Sequence, residues 1–244
     1  VRNDGSFPIG TVTIEGNEFI SVMGNSRFYD DQPDIMAAFI QAWGSHTNSQ
    51  GSIAKLIIRD NYFDGTGIAG AAVKSWQNVL ETVCDDNEFF DVCQGVTAIL
   101  NVYVVLLYTQ GGTPNGGGSF CNNKVRNRYG AIGPGCALYA ANTGPIIANN
   151  NRISGILRSD NQLLRRAALS VNGIRQFTAV GNQITGCATG IALCGSAAFL
   201  TFGEDSSHLI GCNNIYSDAG GSVGLNVSWS NAGTCAPKVG LLRN

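Results

Sequence analysis

Apolar and polar positions along this chain repeat one short theme. Seven segments each run through an apolar stretch, a polar residue or glycine, an asparagine, any residue, and then an apolar residue. They are TVTIEGNEFI (11–20), KLIIRDNYFD (55–64), ETVCDDNEFF (81–90), GSFCNNKVRN (118–127), PIIANNNRIS (145–154), QFTAVGNQIT (176–185) and HLIGCNNIYS (208–217). The shared residues are Asn17, Asn61, Asn87, Asn123, Asn151, Asn182 and Asn213, spaced by 44, 26, 36, 28, 31 and 31 residues. Three positions before them stand Ile14, Ile58, Cys84, Phe120, Ala148, Ala179 and Ile210; two positions after stand Phe19, Phe63, Phe89, Val125, Ile153, Ile184 and Ile215. Every one of these is apolar, and two apolar columns locked to one asparagine column mark a structural repeat.

A further strand is expected in each period, at AAFIQAW (37–43), AAVKSW (71–76), TAILNV (97–102), CALYAA (136–141), AALSVN (167–172), GIALCG (190–195) and GLNVSW (224–229). A unit this small cannot bury its own apolar face, so units must stack. Stacking like strands in register gives parallel sheets, with each apolar column an interior file at about 4.8 Å per step. The asparagine column is then expected at a turn: Asn tolerates the left-handed backbone region, and its amide can bond the turn of the next unit.

Composition agrees. The chain is 44% hydrophobic and 13% charged, with 32 glycines and 24 asparagines among 244 residues. That profile disfavours a helical bundle and a disordered tail alike, and it suits many short strands joined by turns. The formal net charge of −2 argues against a nucleic-acid partner, which needs clustered Lys and Arg. The longest apolar run, residues 97–108, is broken by Asn101 and falls short of the roughly 20 residues of a spanning helix, so no membrane insertion is expected. The chain opens on Val1 without a basic-apolar leader, as a processed or excised chain would. Cysteines stand at 84, 93, 121, 136, 187, 194, 212 and 235 with no CxxC, and the histidines are His46 and His208. No zinc site or other cofactor is expected, and several cysteines read as small buried side chains.

With these columns the sequence resembles the right-handed parallel β-helix superfamily, that of pectin-lyase-like folds and phage tailspikes, from about Thr11 to Val227. The resemblance implies an all-β solenoid of about seven coils with a turn asparagine ladder, forming a single domain over residues 1–244. It implies a virion tailspike or receptor-binding protein that recognises a host-surface polysaccharide, with or without depolymerase activity. The alternative is a secreted polysaccharide lyase, glycoside hydrolase or epimerase, so the location is virion or extracellular. The fold hosts many functions, and family catalytic signatures are missing: neither histidine lies in a Gly-His-Gly or Trp-Ile-Asp-His setting, and no GxSxG, HExxH or P-loop occurs.

Candidate chemistry falls where a period is longest. The first-coil insertion, residues 21–52, holds Arg27, Phe28, Tyr29, Asp30, Asp31, Asp34, Trp43 and His46. Carboxylates accept from sugar hydroxyls and a flat ring covers the apolar face of a pyranose. The insertion reads either as a loop that only packs or as a carbohydrate site, in which Trp43, Tyr29 and Arg27 bind the sugar and Asp30, Asp31 or Asp34 accept hydroxyls or act as acid and base. Crowded carboxylates can hold one proton near neutrality by like-charge repulsion. Asp60, Asp86 and Glu88 form a reserve set, as stacked carboxylates about 5 Å apart suit a retaining glycosidase pair, although Asp at turn rims is also ordinary turn chemistry. Glu204 and Asp205 form another reserve beside His208. Glu15, Arg59 and Asp85 read as a solvated charge stripe. Finally, Ile99–Tyr108 is expected to show apolar side chains on both faces, either as a bulge covered by the glycine-rich turn that follows or as an exposed stripe that meets another subunit, for which the resemblance to tailspikes implies a parallel homotrimer.

Overall fold

The computed structural model describes residues 1–3, 7–20, 38–44, 52–66, 71–92, 103–108, 116–128, 134–141, 144–157, 167–174, 176–196, 207–216, 223–230 and 238–242. They form an all-β structure of stacked parallel strands in three sheets, consistent with a parallel β-helix. Sheet 1 stacks Ile9–Glu15, Ile53–Arg59, Thr82–Asp85, Gly118–Ser119, Ile146–Ile147, Gln176–Val180, Ser207–Gly211 and Lys238–Leu242. Sheet 2 stacks Glu18–Ile20, Tyr62–Asp64, Glu88–Phe90, Lys124–Arg126, Arg152–Ser154, Gln183–Thr185 and Asn214–Tyr216. Sheet 3 stacks Ala38–Trp43, Ala71–Trp76, Tyr103–Tyr108, Cys136–Ala141, Leu169–Asn172, Thr189–Ser196 and Val223–Ser230. The chain visits sheets 1, 2 and 3 in that order each time, so each segment carrying the shared asparagine is two strands bent at a corner.

That corner explains its residues. Gly16, Asp60, Asp86, Asn122, Asn150, Gly181 and Cys212 all have positive φ, between 53° and 72°. Only glycine and short polar residues adopt this left-handed conformation cheaply. The left-handed residue is thus the one before each shared asparagine, which corrects the expectation that the shared asparagine itself takes that conformation.

The two apolar columns face inward. Ile58, Cys84, Phe120, Ala148 and Ala179 of sheet 1 and Phe63, Phe89, Ile153 and Ile184 of sheet 2 lie in one continuous core. Its lower part is a pile of rings, with Phe19 and Phe63 stacked at 4.8 Å and Phe63 and Phe89 at 4.9 Å. Sheet 3 closes the core with Ile40, Val73, Val105, Leu138, Leu169 and Ile191.

Sheet 3 differs from expectation in two ways. Its third strand is Tyr103–Tyr108, paired Val73↔Val105 and Val105↔Leu138, whereas TAILNV (97–102) lies outside the described residues. Nor does the described part of the Ile99–Tyr108 run expose an apolar stripe. Val105 and Leu107 point into the main core, while Tyr103 and Leu106, on the opposite face, are buried in a second cluster with Cys136 and Tyr139 inside a single chain. Only Tyr108 of that face is half-buried, so the stripe gives no ground for association between copies. At the first-coil end of sheet 3, the Asn3 N–H donates to Trp43 O and the Trp43 N–H to Val1 O, at 2.9 Å each, so the chain start pairs with that edge.

Candidate functional site

Inward positions of sheet 3 are committed to packing, so its outward positions are the ones free to take up chemistry. Trp43, Trp76 and Tyr108 end three successive strands in register, Trp43↔Trp76↔Tyr108. Parallel pairing therefore sets their rings in a file at one ring per strand step. Trp43 and Trp76 have centroids 6.1 Å apart and Trp76 and Tyr108 4.6 Å, tilted by 40° and 41°. All three are half-buried, which leaves part of each ring open to solvent.

The file is held in place by polar contacts. Trp43 Nε1 donates to Gln77 Oε1 at 2.6 Å, and Gln77 is itself buried at a left-handed φ of 59°. The Arg2 guanidinium lies 5.8 Å from the Trp43 ring centre, and Lys74 Nζ lies 4.4 Å from that of Trp76. Both distances are in cation–π range. Trp76 Nε1 is buried and has no hydrogen-bond partner among the described residues, so the middle ring of the file keeps one unused donor.

Trp43 is the one member of the expected insertion site that the structure describes. Arg27, Tyr29, Asp30, Asp31, Asp34 and His46 lie outside the described residues, as do Glu204 and Asp205. Trp76 and Tyr108 were not expected at the site. The first was signalled by the Trp that closes both AAFIQAW and AAVKSW, and the second was hidden by the misplaced third strand.

Asp60 and Asp86 are exposed at the left-handed corner, one strand step apart, with φ of 54° and 59°. Backbone conformation accounts for both. Glu88 is exposed and meets Lys124 Nζ at 3.4 Å. Asp85, read as part of a solvated stripe, is instead half-buried: Oδ1 accepts from the Cys121 backbone N–H at 2.8 Å and Oδ2 from Ser119 Oγ at 2.9 Å. Burial pushes its pKa up, and those two hydrogen bonds partly oppose the shift. Glu15 and Arg59 of the same stripe do pair, at 2.9 Å, on the surface.

Among the described residues, Cys84, Cys121, Cys187 and Cys212 are free thiols. Burial pushes Cys84 well above the ordinary thiol range and Cys187 up to about 11, so neither is a nucleophile at neutral pH. Among the described residues no group of three or more His, Cys, Asp or Glu is placed to hold a metal ion, and no helix is long and apolar enough to cross a membrane. Scans against protein-family models, curated proteins and solved structures each found no match to this chain.

Proposed function

We propose that the chain is a right-handed parallel β-helix of about seven coils with a turn asparagine ladder, and that it is a virion receptor-binding protein of the tailspike kind recognising a host-surface polysaccharide. The observation that carries the binding reading is the file Trp43–Trp76–Tyr108. Half-open rings repeating once per strand step, with centres 6.1 and 4.6 Å apart, are spaced on the scale of successive pyranose rings along an extended chain, and aromatic faces cover sugar C–H faces. The thiols of Cys84, Cys121, Cys187 and Cys212 support assembly in a reducing cytoplasm rather than secretion. A homotrimer belongs to the same reading. Its apolar contact would fall on the outer face of sheet 1, where one column runs Ile57, Val83, Ser119, Ile147, Thr178, Leu209 and its Ile147 and Leu209 are 45% and 38% exposed.

A second reading, a secreted lyase, hydrolase or epimerase, is favoured by Asp85. Its half-buried carboxyl has a pKa raised by burial, as a general acid requires. One experiment addresses both: a glycan panel scored for binding and for cleavage, with Trp43→Ala, Tyr108→Ala and Asp85→Asn. Loss of about tenfold or more in binding by the aromatic variants supports recognition through the file. Cleavage abolished only by Asp85→Asn would favour the enzyme, and unchanged binding in both aromatic variants would refute the file as platform.

A further inference from the structure

The outer face of sheet 2 carries a second strip that the aromatic file does not use. Its two outward columns can be read off the register. One runs Glu18, Tyr62, Glu88, Lys124, Arg152, Gln183, Asn214, and the other Ile20, Asp64, Phe90, Arg126, Ser154, Thr185, Tyr216. Inward residues alternate with them and are packed, while Lys124, Arg126, Arg152, Gln183 and Thr185 on this face are exposed.

Charge separates along the strip. Lys124 and Arg152 are exposed and directly opposite each other on adjacent strands, with Arg126 two residues from Lys124. Like charges set opposite in a sheet destabilise it. Among the described residues, neither Arg126 nor Arg152 has a carboxylate at ion-pair distance. Lys124 meets Glu88 at 3.4 Å, so the uncompensated positive charge is that of Arg126 and Arg152, on a chain whose net charge is −2.

Beside this cluster sits an organised guanidinium. Arg128 sends Nε to Asp91 Oδ2 at 2.7 Å and Nη2 to the same oxygen at 2.6 Å, while its backbone N–H donates to Asp91 Oδ1 at 2.8 Å. Asp91 is fully buried at a left-handed φ of 49°. The Arg128 guanidinium lies 4.5 Å from the Phe90 ring centre and that of Arg126 5.8 Å. Phe90 therefore serves as a prop for two planar cations rather than as a stacking platform. Guanidinium groups held in this way suit planar carboxylates, since less rotamer entropy is lost on binding. Beyond the cations the columns continue as Gln183, Asn214, Ser154 and Thr185, and end at Tyr216, which is 66% exposed. Amides, hydroxyls and a ring following a cluster of cations make a track for a polyhydroxylated chain that also bears acid groups.

We propose that the outer face of sheet 2 binds an acidic polysaccharide, its carboxylates seated on Arg126, Arg152 and Lys124. This rests on the glycan reading above and specifies the class of polymer and a second face. A nucleic acid fits the strip less well. Single-strand binding uses open rings for base stacking and cations spread along many phosphates, whereas Phe90 is covered by guanidinium groups and Glu18 and Glu88 interrupt the strip.

The full chain is titrated calorimetrically at low and moderate salt with oligogalacturonate, oligomannuronate, hyaluronan oligosaccharide, neutral cellohexaose and a 20-nucleotide oligothymidylate. Arg126→Gln with Arg152→Gln serves as the test variant and Trp43→Ala as the control. The expected result is salt-sensitive binding of at least one uronate oligomer, weakened about tenfold or more in the double Arg variant with an unchanged melting temperature. The proposal is overturned if no uronate oligomer binds, if the double variant binds uronates like the parent, or if the oligothymidylate binds as tightly at the same salt. Neutral oligosaccharide binding lost in Trp43→Ala, together with uronate binding indifferent to the Arg changes, would leave the aromatic-file reading standing and remove this one.

Discussion

Asn151 gives both its backbone N–H and its side-chain Nδ2–H to Oδ1 of Asn182, each at 2.9 Å. The relation repeats up and down the stack: Asn61 to Asn87, Asn87 to Asn123, Asn123 to Asn151 and Asn182 to Asn213. Each Nδ2 also donates across to a strand-end carbonyl of the previous turn, Phe120 O for Asn151 and Ala148 O for Asn182. Every donor and acceptor of a fully buried amide is thereby used.

Asn151→Ala and Asn182→Ala should therefore each unpair buried groups in two neighbouring turns, costing roughly 1–3 kcal/mol per orphaned group. Asn151→Asp should cost more, because a carboxylate cannot donate to Phe120 O and would face Asn182 Oδ1. Asn214→Ala, with an exposed side chain, is the reference and should stay within about 0.5 kcal/mol of the parent. Urea unfolding midpoints of the four variants test this, and equal midpoints would refute it.

Inward columns were legible in the sequence because stacking forces the same choice once per turn, and each apolar residue from Ile58 to Ala179 met that demand. The left-handed column was misread by one position, since Asn122–Asn123 and Asn149–Asn151 put asparagine on both sides of the corner and only backbone geometry says which one bends. The third strand of sheet 3 was misplaced because residues 97–108 hold more apolar side chains than one six-residue strand needs, and register is a property of neighbours. Burial of Tyr103 and Leu106 was illegible for the same reason: what covers an outward face is not local in sequence. Trp43 was legible as a platform, but its alignment with Trp76 and Tyr108 required that register.

At the corner, identity should follow backbone conformation rather than charge. Asp86→Gly and Asp60→Gly should leave stability within about 0.5 kcal/mol of the parent, whereas Asp86→Val should lose roughly 1–2 kcal/mol by forcing a β-branched residue to a positive φ. If glycan cleavage is found, both glycine variants should retain it. A glycine variant that keeps its stability and loses turnover would return Asp60 and Asp86 to the catalytic candidates.

His208 shares the inward column of Phe177 and Val239, is buried, and has no partner at Nδ1 among the described residues. Burial pushes its pKa below the ordinary imidazole value. The unfolded chain thus takes up a proton near pH 6.5 while the folded one resists, so the unfolded state binds more protons and stability falls as pH drops through about 6.5. The urea midpoint should decline between pH 7.5 and 5.5, and His208→Phe should flatten that decline. An equal decline in the variant would assign it to other groups.

Cys212 stands where the corner takes glycine at Gly16 and Gly181, with a φ of 53° and an exposed side chain. A residue other than Gly, Asn or Asp pays conformational strain there, on the order of 1 kcal/mol. Cys212→Asn should keep a side chain that tolerates this geometry and add less unfolded-state entropy than glycine, so it should raise stability by about 0.5–1 kcal/mol. The same exposure makes Cys212 the described thiol that reacts first with a disulfide reagent under native conditions, ahead of half-buried Cys121, whose pKa burial raises, and well ahead of buried Cys84 and Cys187. Peptide mapping after brief labelling checks the order, and a thermal melt of Cys212→Asn checks the strain. An unchanged or lower melting temperature would show that the corner holds cysteine without cost.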